Sequence, residues 1–392
     1  MKQFDVVIAG GAMAGMTLAL AINKLSDKPL AIAVVEPFKV DHKAHPGFDS
    51  RSIALSHGTV NILKSLQLWQ EIAQVATPIK HIHVSDRSHA GMTEISTAEV
   101  GVDALGYVVE LADVGKIYHH LVEQSDDIEL LCPASVQTVE RQQESVTVTL
   151  DSGETLQSKL LVAADGAIST CCQQIGLDLL EHDFEQVALI ANITTQQAHQ
   201  GRAFERFTDS GPVALLPMSE GRMSLVWCLK PQDAEHVMVL DNDAFLNRLQ
   251  DAFGWRLGAL EKVGQRASYP LLLRYRKQNT SHRFAIVGNA AQTLHPIAGQ
   301  GFNLGIRDVA TLAEEIAQST QDPGSYDALS RFKQRRESDR EATIALTSTL
   351  VHVFSNDYLT MRIGRNLGLA AMDNLPLLKA PLLARTLGLV AR

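Results

Sequence analysis

Residues 4–36 constrain the fold of this chain more than any other segment. Residues 4–9 (FDVVIA) have the length and apolar content of a buried strand and lead into glycines. Residues 13–25 are typical of a buried helix, and residues 30–35 (LAIAVV) form a second strand pattern that ends at Glu36. A strand, a glycine turn, a helix and a strand in this order make a βαβ unit with a parallel sheet. We therefore predict an α/β fold that starts at the N-terminus.

The composition argues against several classes of protein. The net charge of −9 argues against a nucleic-acid partner, which requires clustered basic surface. The four cysteines include no C-x-x-C pair, so neither a metal site nor a disulfide scaffold is predicted, and the adjacent Cys171 and Cys172 are interpreted as reduced thiols. Glycines interrupt the uncharged run 6–22, so we interpret it as strand, turn and helix rather than a signal peptide or membrane span. A cytoplasmic location is the expectation.

The remainder of the chain alternates between helical and β patterns. Helical spacing covers residues 59–75, 113–124, 241–252 and 302–319, whereas short β segments dominate residues 79–99, 128–150 and 187–269. Two α/β stretches that flank a β-rich middle indicate a discontinuous domain with an insertion. The predicted boundaries are 1–75, 100–182 and 270–325 for a Rossmann-like domain, 76–99 and 183–269 for an inserted mixed-sheet domain, and 326–392 for a C-terminal helical region.

The first glycine turn has the sequence context of a dinucleotide-binding site. Gly10-Gly11-Ala12-Met13-Ala14-Gly15 follows a strand and opens a helix, as the G-x-G-x-x-G fingerprint requires. Such a turn aims backbone N–H groups and the positive end of a helix at a pyrophosphate. Glu36, at the end of the second strand, stands where a carboxylate binds ribose hydroxyls. Ala12 replaces the middle glycine, and a tight βα turn without a ligand is the alternative interpretation.

A second glycine-rich segment, HPIAGQGFNLGIRD at residues 295–308, is more specific. Gly299-Gln300-Gly301 provides a backbone nearly free of side chains, which can lie against a flat ring. The helix that starts there would direct free N–H groups at the ring, and in a flavoenzyme they would meet the N1–C2 edge, where negative charge accumulates on reduction. Pro296 stiffens the entry, and Asn303 can bond local backbone or the ring. The segment predicts FAD; an ordinary glycine-rich helix start is the alternative.

These segments resemble the fingerprints of the aromatic-ring hydroxylases of the para-hydroxybenzoate hydroxylase type, and among them the branch that hydroxylates ubiquinone precursors. The pattern H-P-x-A-G-Q-G-x-N-x-G-x-x-D is present at residues 295–308, D-x-R-x-x-A-L at residues 49–55, and A-D-G-A at residues 164–167. Residues 288–294 (GNAAQTL) are similar to the matching segment of the hydroxylases of octaprenyl methoxyphenols.

The resemblance implies an FAD-dependent monooxygenase that hydroxylates the ring of a polyprenylated phenol in ubiquinone biosynthesis. NADPH or NADH would be the reductant and O2 the oxidant, through a C4a-hydroperoxyflavin. The resemblance also implies that Arg51 approaches the flavin and the pyrophosphate, and that Asp165-Gly166 is tied to FAD and the reduced nicotinamide. In two places the chain departs from the family. Asn289 replaces an Asp that holds a ribityl hydroxyl, and Cys172 replaces the Arg that usually ends the Asp-Gly motif.

The predicted site residues are of two kinds. A phenol reacts faster as phenolate, so a base or proton relay is useful. The catalytic candidates are His295, Pro296 and Tyr269, and a role in the core is an equal alternative for His295 and Tyr269. No metal is predicted. The cofactor-binding candidates are Gly10, Gly11, Ala12, Met13, Ala14, Gly15, Glu36, Arg51, Asp165, Gly166, Gly288, Asn289, Pro296, Gly299, Gln300, Gly301 and Asn303.

Substrate and partners are the least constrained by the sequence. The substrate is expected to lie against the apolar patterns at residues 211–217 and 223–227, although such strands line any core. From Asn374 onward the chain has no acid, and apolar runs alternate with Lys379, Arg385 and Arg392. This suits a position peripheral to the inner membrane or in a ubiquinone-biosynthesis complex. A tail packed on the domain or in an oligomer contact is the alternative. A flavin-dependent reductase and a non-catalytic scaffold are the alternative functions.

Overall fold

The computed structural model describes residues 1–39, 51–86, 92–354 and 382–390. The strands in these residues are β1 (Lys2–Ala9), β2 (Ile32–Val35), β3 (Ser52–Ser56), β4 (Thr77–Ile79), β5 (His81–Asp86), β6 (Met92–Ser96), β7 (Gly106–Glu110), β8 (Ile128–Leu131), β9 (Val136–Arg141), β10 (Val146–Leu150), β11 (Thr155–Ala163), β12 (Leu180–Thr195), β13 (Arg202–Thr208), β14 (Gly211–Pro217), β15 (Arg222–Leu229), β16 (Leu260–Val263), β17 (Ala267–Tyr275), β18 (Thr280–Ser281), β19 (Phe284–Ile286) and β20 (Gln292–Thr293).

Helices connect and cover these strands. The α-helices in the same residues are α1 (Met13–Leu25), α2 (His57–Ser65), α3 (Trp69–Ile72), α4 (Thr97–Val100), α5 (Leu111–Glu123), α6 (Thr170–Gln174), α7 (Pro231–Met238), α8 (Asn242–Phe253), α9 (Gln300–Gln318) and α10 (Tyr326–Phe354). Short 3-10 helices span Ala73–Val75, Ser219–Gly221, Gly288–Ala290 and Ile297–Gly299. A further helical turn covers residues 382–386. No helix in the described ranges is long and apolar enough to cross a membrane.

The first sheet is built around the predicted βαβ unit. Its order is β18-β19-β11-β1-β2-β8, and β1 runs parallel to both β2 and β11. β9 and β10 extend β11 as an antiparallel meander. Val6 and Ile8 of β1 pack with α1, α5 and α9, while Val7 packs with β10, β11 and α6. Both faces of the sheet are covered, which explains why β1 and β2 are apolar without alternation.

The second sheet is mixed and β-rich. Its order is β20-β17-β12-β15-β14-β13-β5-β6, and its strands pair antiparallel except for β5 with β13. One face sends Leu189, Leu215 and Trp227 into a core beneath α7 and α8. The opposite face lies toward the segment 295–299, where Phe207 of β13 packs against Ile297. The predicted class, an α/β fold with a β-rich mixed sheet and C-terminal helices, is confirmed.

The strands of the second sheet come from three parts of the chain, residues 81–96, 180–275 and 292–293. A small third sheet, β3-β7-β4, completes the molecule within the described ranges. Strand β20 lies outside the residues predicted for the inserted domain and pairs with β17, so the chain crosses between the sheets just before the segment 295–308. The exact domain boundaries stay a prediction.

Buried ion pairs link α10 to α9. The Arg336 guanidinium donates to Asp308 at 2.7 Å and to Asp339 at 2.6 Å, and Arg307 donates to Asp339 at 2.7 Å. All four side chains are buried. Gln292 links this network to β20 because its Nε2 donates to Asp308 at 2.8 Å. Asp308, the last residue of the glycine-rich motif, therefore anchors helices rather than facing a ligand.

Candidate active site

The first glycine turn is packed too closely for side chains. A Cβ at Gly10 or Gly15 would overlap backbone oxygen atoms, those of Ala164 and Gly10 respectively. Ala12, in contrast, is the N-cap of α1 and has a φ of −79°, a conformation open to any residue. Its methyl group therefore introduces no backbone strain at the place of the missing middle glycine. Helix α1 begins here without a side-chain cap and without an acidic residue in its first turn.

Glu36 closes one side of this turn. Its carboxylate accepts the Gly11 N–H at 2.7 Å and the Phe38 N–H at 2.9 Å, and the side chain is buried. A Cβ at Gly11 would lie 2.8 Å from the Cβ of Glu36, so glycine is what lets the carboxylate reach the turn. The structure thus brings together the turn and the acid that the sequence analysis paired.

Asp165 and Gly166 follow β11 directly beside the same turn, because Ala164 N–H donates to Ala9 O at 2.7 Å. One Asp165 oxygen, Oδ2, accepts the Cys171 N–H at 3.1 Å. The other, Oδ1, is buried and has no hydrogen-bond partner among the described residues. Arg51 directly precedes β3, and its carbonyl accepts the Leu111 N–H at 2.9 Å. Asp49 and Ser50, which precede Arg51 in the predicted motif, lie outside the described residues.

The second glycine-rich segment forms a tight loop before α9. Pro296 precedes the 3-10 helix Ile297–Gly299, in which Ala298 and Gly299 have φ values of 55° and 61°. Helix α9 then starts at Gln300, again without a side-chain cap or an acidic residue in its first turn. A Cβ at Gly301 would meet nothing closer than 3.9 Å, so the backbone face at this residue is open. The predicted loop and helix start are both present.

Asn303 fixes this loop from within. Its Oδ1 accepts from Ser56 N–H at 2.9 Å and from the Thr59 hydroxyl at 2.7 Å. Its Nδ2 donates to Ala54 O at 3.0 Å and to Gly299 O at 2.6 Å. An Asn amide has two donor hydrogens and two acceptor positions, so these contacts occupy all of them. Of the two roles considered for Asn303, the geometry favours bonding of the local backbone.

Gln300 ties the loop to the C-terminal segment. Its Nε2 donates to Ala298 O at 3.0 Å and to Thr386 O at 3.1 Å, while its buried Oε1 has no partner within the described residues. The same segment accepts the Gly58 N–H at Leu387 O, at 2.7 Å. These contacts could not be predicted from the sequence, because nothing in residues 382–390 marks them as neighbours of residue 300.

Gly288 connects the two glycine-rich segments. Its φ is +62°, and a Cβ there would lie 2.7 Å from the Cβ of Ala14 in the first turn of α1. On its other side, a Cβ at Gly305 of α9 would lie only 3.5 Å from the Gly288 Cα. The neighbouring Asn289 is exposed. The first turn of α1, residues 288–289 and α9 therefore converge at one place.

The catalytic candidates are in different surroundings. His295 is buried, its Nε2 lies 3.0 Å from Gln186 Oε1, and its Nδ1 accepts the Ile297 N–H at 3.2 Å. Burial lowers the pKa of His295 to about 4, so the ring is neutral near pH 7. Tyr269 lies on β17, paired with Ala188 of β12, and is 36% exposed. A catalytic role for His295 or Tyr269 stays a prediction.

Glu205 was missed by the sequence analysis. It lies in β13, and its Oε1 accepts the Ala298 N–H of the loop at 3.4 Å. Burial raises the pKa of this carboxyl to about 7, and the Ala298 N–H offsets part of that effect. In the sequence, the alternation in AFERF (residues 203–207) is typical of a strand with one face toward solvent, which makes Glu205 look like an ordinary surface residue. The loop that covers Glu205 is 93 residues away along the chain.

The convergent residues fit FAD. Two helices, α1 and α9, present uncapped N-termini, which favour phosphate oxygen atoms or the electron-rich edge of a reduced flavin. The partnerless Asp165 Oδ1 and Gln300 Oε1 are acceptors, and FAD offers hydroxyl and ring N–H donors. In Asn289, the exposed amide can both donate to and accept from a ribityl hydroxyl.

Curated relatives are similar to this chain over nearly its whole length. Ubiquinone hydroxylase UbiL of Rhodospirillum rubrum is 32% identical over 99% of this chain and 90% of its own length. The 3-demethoxyubiquinol 3-hydroxylase of Escherichia coli is 29% identical over 98% of both chains. The human mitochondrial ubiquinone biosynthesis monooxygenase COQ6 is 28% identical over 97% of this chain and 92% of its own.

Solved structures share the fold at lower identity. The p-nitrophenol 4-monooxygenase PnpA of Pseudomonas putida superposes with a TM-score of 0.81 at 18% identity, over 99% of both chains. PqsL of Pseudomonas aeruginosa in complex with 2-aminobenzoylacetate gives 0.80 at 19% identity, over 94% of this chain and 99% of the other. Fold, site and relatives together define an FAD-dependent monooxygenase of the aromatic hydroxylase class. The chain belongs to the FAD binding domain family (FAD_binding_3), which matches residues 3–347.

Proposed function

We propose that this protein hydroxylates the aromatic ring of a polyprenylated phenol in ubiquinone biosynthesis, using FAD, NAD(P)H and O2. The observation that carries this proposal is the face of the second sheet toward the loop 295–299. Val84, Ala214 and Val226 on this face are only half-buried although they belong to central strands, whereas Val213, Leu225 and other residues on the opposite face are fully buried. We infer that these half-buried side chains line an apolar substrate cleft, because incompletely covered apolar surface suits a ring that carries a prenyl chain.

The relatives support the choice of substrate. Those from Rhodospirillum rubrum, Escherichia coli and human mitochondria are all named for steps on ubiquinone or its precursors. Their likeness covers nearly the whole chain, including the strands of the second sheet that line the cleft. The likeness of residues 288–294 makes an octaprenyl methoxyphenol the first substrate to test.

The chain's own residues would divide the work in the following way. The first turn of α1 would hold the pyrophosphate, with Arg51 near it, and Glu36 would bind the adenosine ribose. Gly288-Asn289 would contact the ribityl chain, and residues 299–301 would contact the edge of the flavin ring. FAD, when bound, supplies the redox chemistry: it takes electrons from the nicotinamide and activates O2. The second sheet and the loop 295–299 would position the phenol ring and exclude water from it.

Activity on a defined phenol tests the proposal. Purified protein with FAD is mixed with NADH or NADPH and with 2-octaprenyl-6-methoxyphenol or 2-octaprenylphenol in detergent micelles. Substrate-stimulated NAD(P)H consumption together with a product heavier by one oxygen atom is the expected result. In a strain that lacks the gene, accumulation of the same phenol is expected. Protein that stays colourless with added FAD would instead favour the scaffold interpretation.

We further propose that the C-terminal tail brings the enzyme to a membrane surface or to a biosynthetic complex. In the described part of this tail, Leu383 and Leu387 pack in an apolar cluster with Ile79 and Leu105, so these two leucines serve the fold. Most of the predicted tail, residues 374–381 and 391–392, lies outside the described residues. Because deletion would remove the Gln300 contact, a charge reversal (Lys379→Glu with Arg392→Glu) is the sharper variant. Unchanged flotation of this variant with anionic vesicles would exclude the electrostatic membrane contact.

A further inference from the structure

Glu205 occupies the middle of the cleft wall. The strand registers place Ala267, Ile190, Val226, Ala214, Glu205 and Val84 in one row across six strands. Directly paired residues share a face of a sheet, so all six side chains stand on the side of the loop 295–299. Glu205 is the one ionisable side chain in this row. It is half-buried, as Val84, Ala214 and Val226 are, so it faces the cleft.

A hydrogen bond to the loop places this carboxyl next to the expected flavin site. Glu205 Oε1 accepts from the backbone N–H of Ala298, the residue directly before Gly299. The carboxyl therefore stands between the apolar wall and the glycines that would hold the ring edge. A phenol ring that lies in the cleft beside a flavin at residues 299–301 would have this carboxyl in the cleft wall next to it.

The surroundings favour a proton acceptor that works near neutral pH. Burial raises the pKa of Glu205 to about 7, and a general base is most effective when its pKa lies near the working pH. Other ionisable groups stand on the same face of the sheet. In the described residues they include Asp86 of β5, His182 of β12, Arg222 and Cys228 of β15 and Tyr269 of β17, and His295 lies in the loop.

The other two candidates are less suited to this task. Both ring nitrogens of His295 are used by Gln186 and Ile297, and its pKa is lowered to about 4. Tyr269 lies four strands away from Glu205 in the sheet, a separation of about 19 Å at the usual strand spacing. Tyr269 and Glu205 therefore cannot both reach the hydroxyl of one phenol ring.

We propose that Glu205 is the catalytic base that accepts the proton of the substrate's phenol hydroxyl. The inference rests on the proposed function, because it requires a phenol in the cleft. In this step the phenol O–H bond breaks, its electron pair stays on the phenol oxygen, and the proton forms a bond to a carboxylate oxygen of Glu205. No electrons are transferred to or from the protein. The resulting phenolate ring is the better nucleophile toward the hydroxylating oxygen.

The test compares the wild type with Glu205→Gln and with the control Glu261→Gln, an exposed position on β16 of the same sheet. The amide of Glu205→Gln keeps an acceptor for the Ala298 N–H and cannot take the proton. With 2-octaprenyl-6-methoxyphenol we expect kcat/KM of Glu205→Gln to fall about 10²- to 10⁴-fold at pH 7.5. The wild-type and Glu261→Gln profiles should rise through about pH 7, whereas that of Glu205→Gln should rise only as the phenol itself ionises, near pH 10.

A second readout does not need turnover. The visible absorbance of bound FAD is titrated from pH 5.5 to 8.5 without substrate. A spectral transition near pH 7 in the wild type and in Glu261→Gln, absent from Glu205→Gln, is expected if this carboxyl ionises beside the ring. FAD content and thermal stability show whether each variant is folded. If Glu205→Gln does not fold, the wild-type profile still decides, because a wild-type rate that does not change between pH 6 and 8.5 overturns the inference.

The possible failures are distinguishable. If the wild type forms hydroxylated product and Glu205→Gln forms it at an equal rate with the same pH profile, the inference fails and the proposed function stands. Identical flavin titrations of the two proteins overturn it in the same way. If the FAD-loaded wild type hydroxylates neither of the octaprenylphenols tested, the proposed function fails and takes this inference with it.

Discussion

Gly288 offers a quantitative test of how the two glycine-rich segments meet. Alanine at this position would hold a left-handed backbone, which costs about 1–2 kcal/mol, since its φ is +62°. Its methyl group would also lie 2.7 Å from the Cβ of Ala14, an overpacking that costs about 1–3 kcal/mol more. Gly288→Ala should therefore destabilise the fold by about 2–5 kcal/mol and weaken FAD binding, because Ala14 belongs to the first turn of α1.

Two companion variants separate these contributions. Gly153 has a φ of +84°, and a Cβ there would meet nothing within 4 Å, so Gly153→Ala bears only the backbone strain and should cost about 1–2 kcal/mol. Ala14→Gly removes the colliding methyl group, so in the double variant with Gly288→Ala the overpacking term should vanish, a favourable coupling of about 1–3 kcal/mol. Urea unfolding at fixed FAD concentration, with FAD affinity followed by flavin fluorescence, measures both effects. A Gly288→Ala cost no larger than that of Gly153→Ala, or strict additivity with Ala14→Gly, would refute the reasoning.

Three further predictions concern other parts of the site. Asp339→Asn should lower the free energy of unfolding by about 3–5 kcal/mol, because Arg307 and Arg336 are buried cations that each lose an ion pair with Asp339. Urea unfolding measures this loss, and a value below about 1 kcal/mol would contradict the prediction. Asn303→Ala removes four hydrogen bonds that hold the loop at Gly299, so it should weaken FAD binding at least about tenfold. An unchanged FAD affinity in a fluorescence titration would show that these hydrogen bonds do not hold the loop in its binding conformation. The folded-state pKa of Glu205 is about 7, above its ordinary value of 4.5, so the folded protein holds the proton more tightly than the unfolded chain. The wild type should therefore lose up to about 3 kcal/mol of stability relative to Glu205→Gln as the pH rises from 4.5 through 7. Parallel curves of unfolding free energy against pH would argue against the raised pKa.

The sequence predicts elements well where local pattern and tertiary role agree. Helix α1 spans Met13–Leu25 as expected, and β1 and β2 flank it, because both faces of the parallel sheet require apolar residues. The helix predicted over residues 59–75 is instead broken into α2, α3 and a 3-10 turn. Gln67 takes a φ of 58° there, and this turn lets Leu66 and Leu68 both enter the core. A periodic pattern does not report such a break.

The site divides in a similar way. Glycine-rich turns and their helices could be found because backbone demands leave a mark on local sequence, as in Gly299-Gln300-Gly301. Glu205 could not be found, because its character arises from the loop that folds over it from residue 298. The contact between Gln300 and Thr386 is equally non-local. Side chains whose function depends on distant chain segments are the part of a site that one sequence does not reveal.

Isotope labelling tests the central claim most directly. The FAD-loaded protein is given NADPH or NADH and 2-octaprenyl-6-methoxyphenol under ¹⁸O2 in ordinary water, and the product is examined by mass spectrometry. Hydroxylation by a flavin monooxygenase predicts one ¹⁸O atom per product and one NAD(P)H consumed for each. Consumption of NAD(P)H that yields only hydrogen peroxide, or a product whose new oxygen comes from water, would contradict the account.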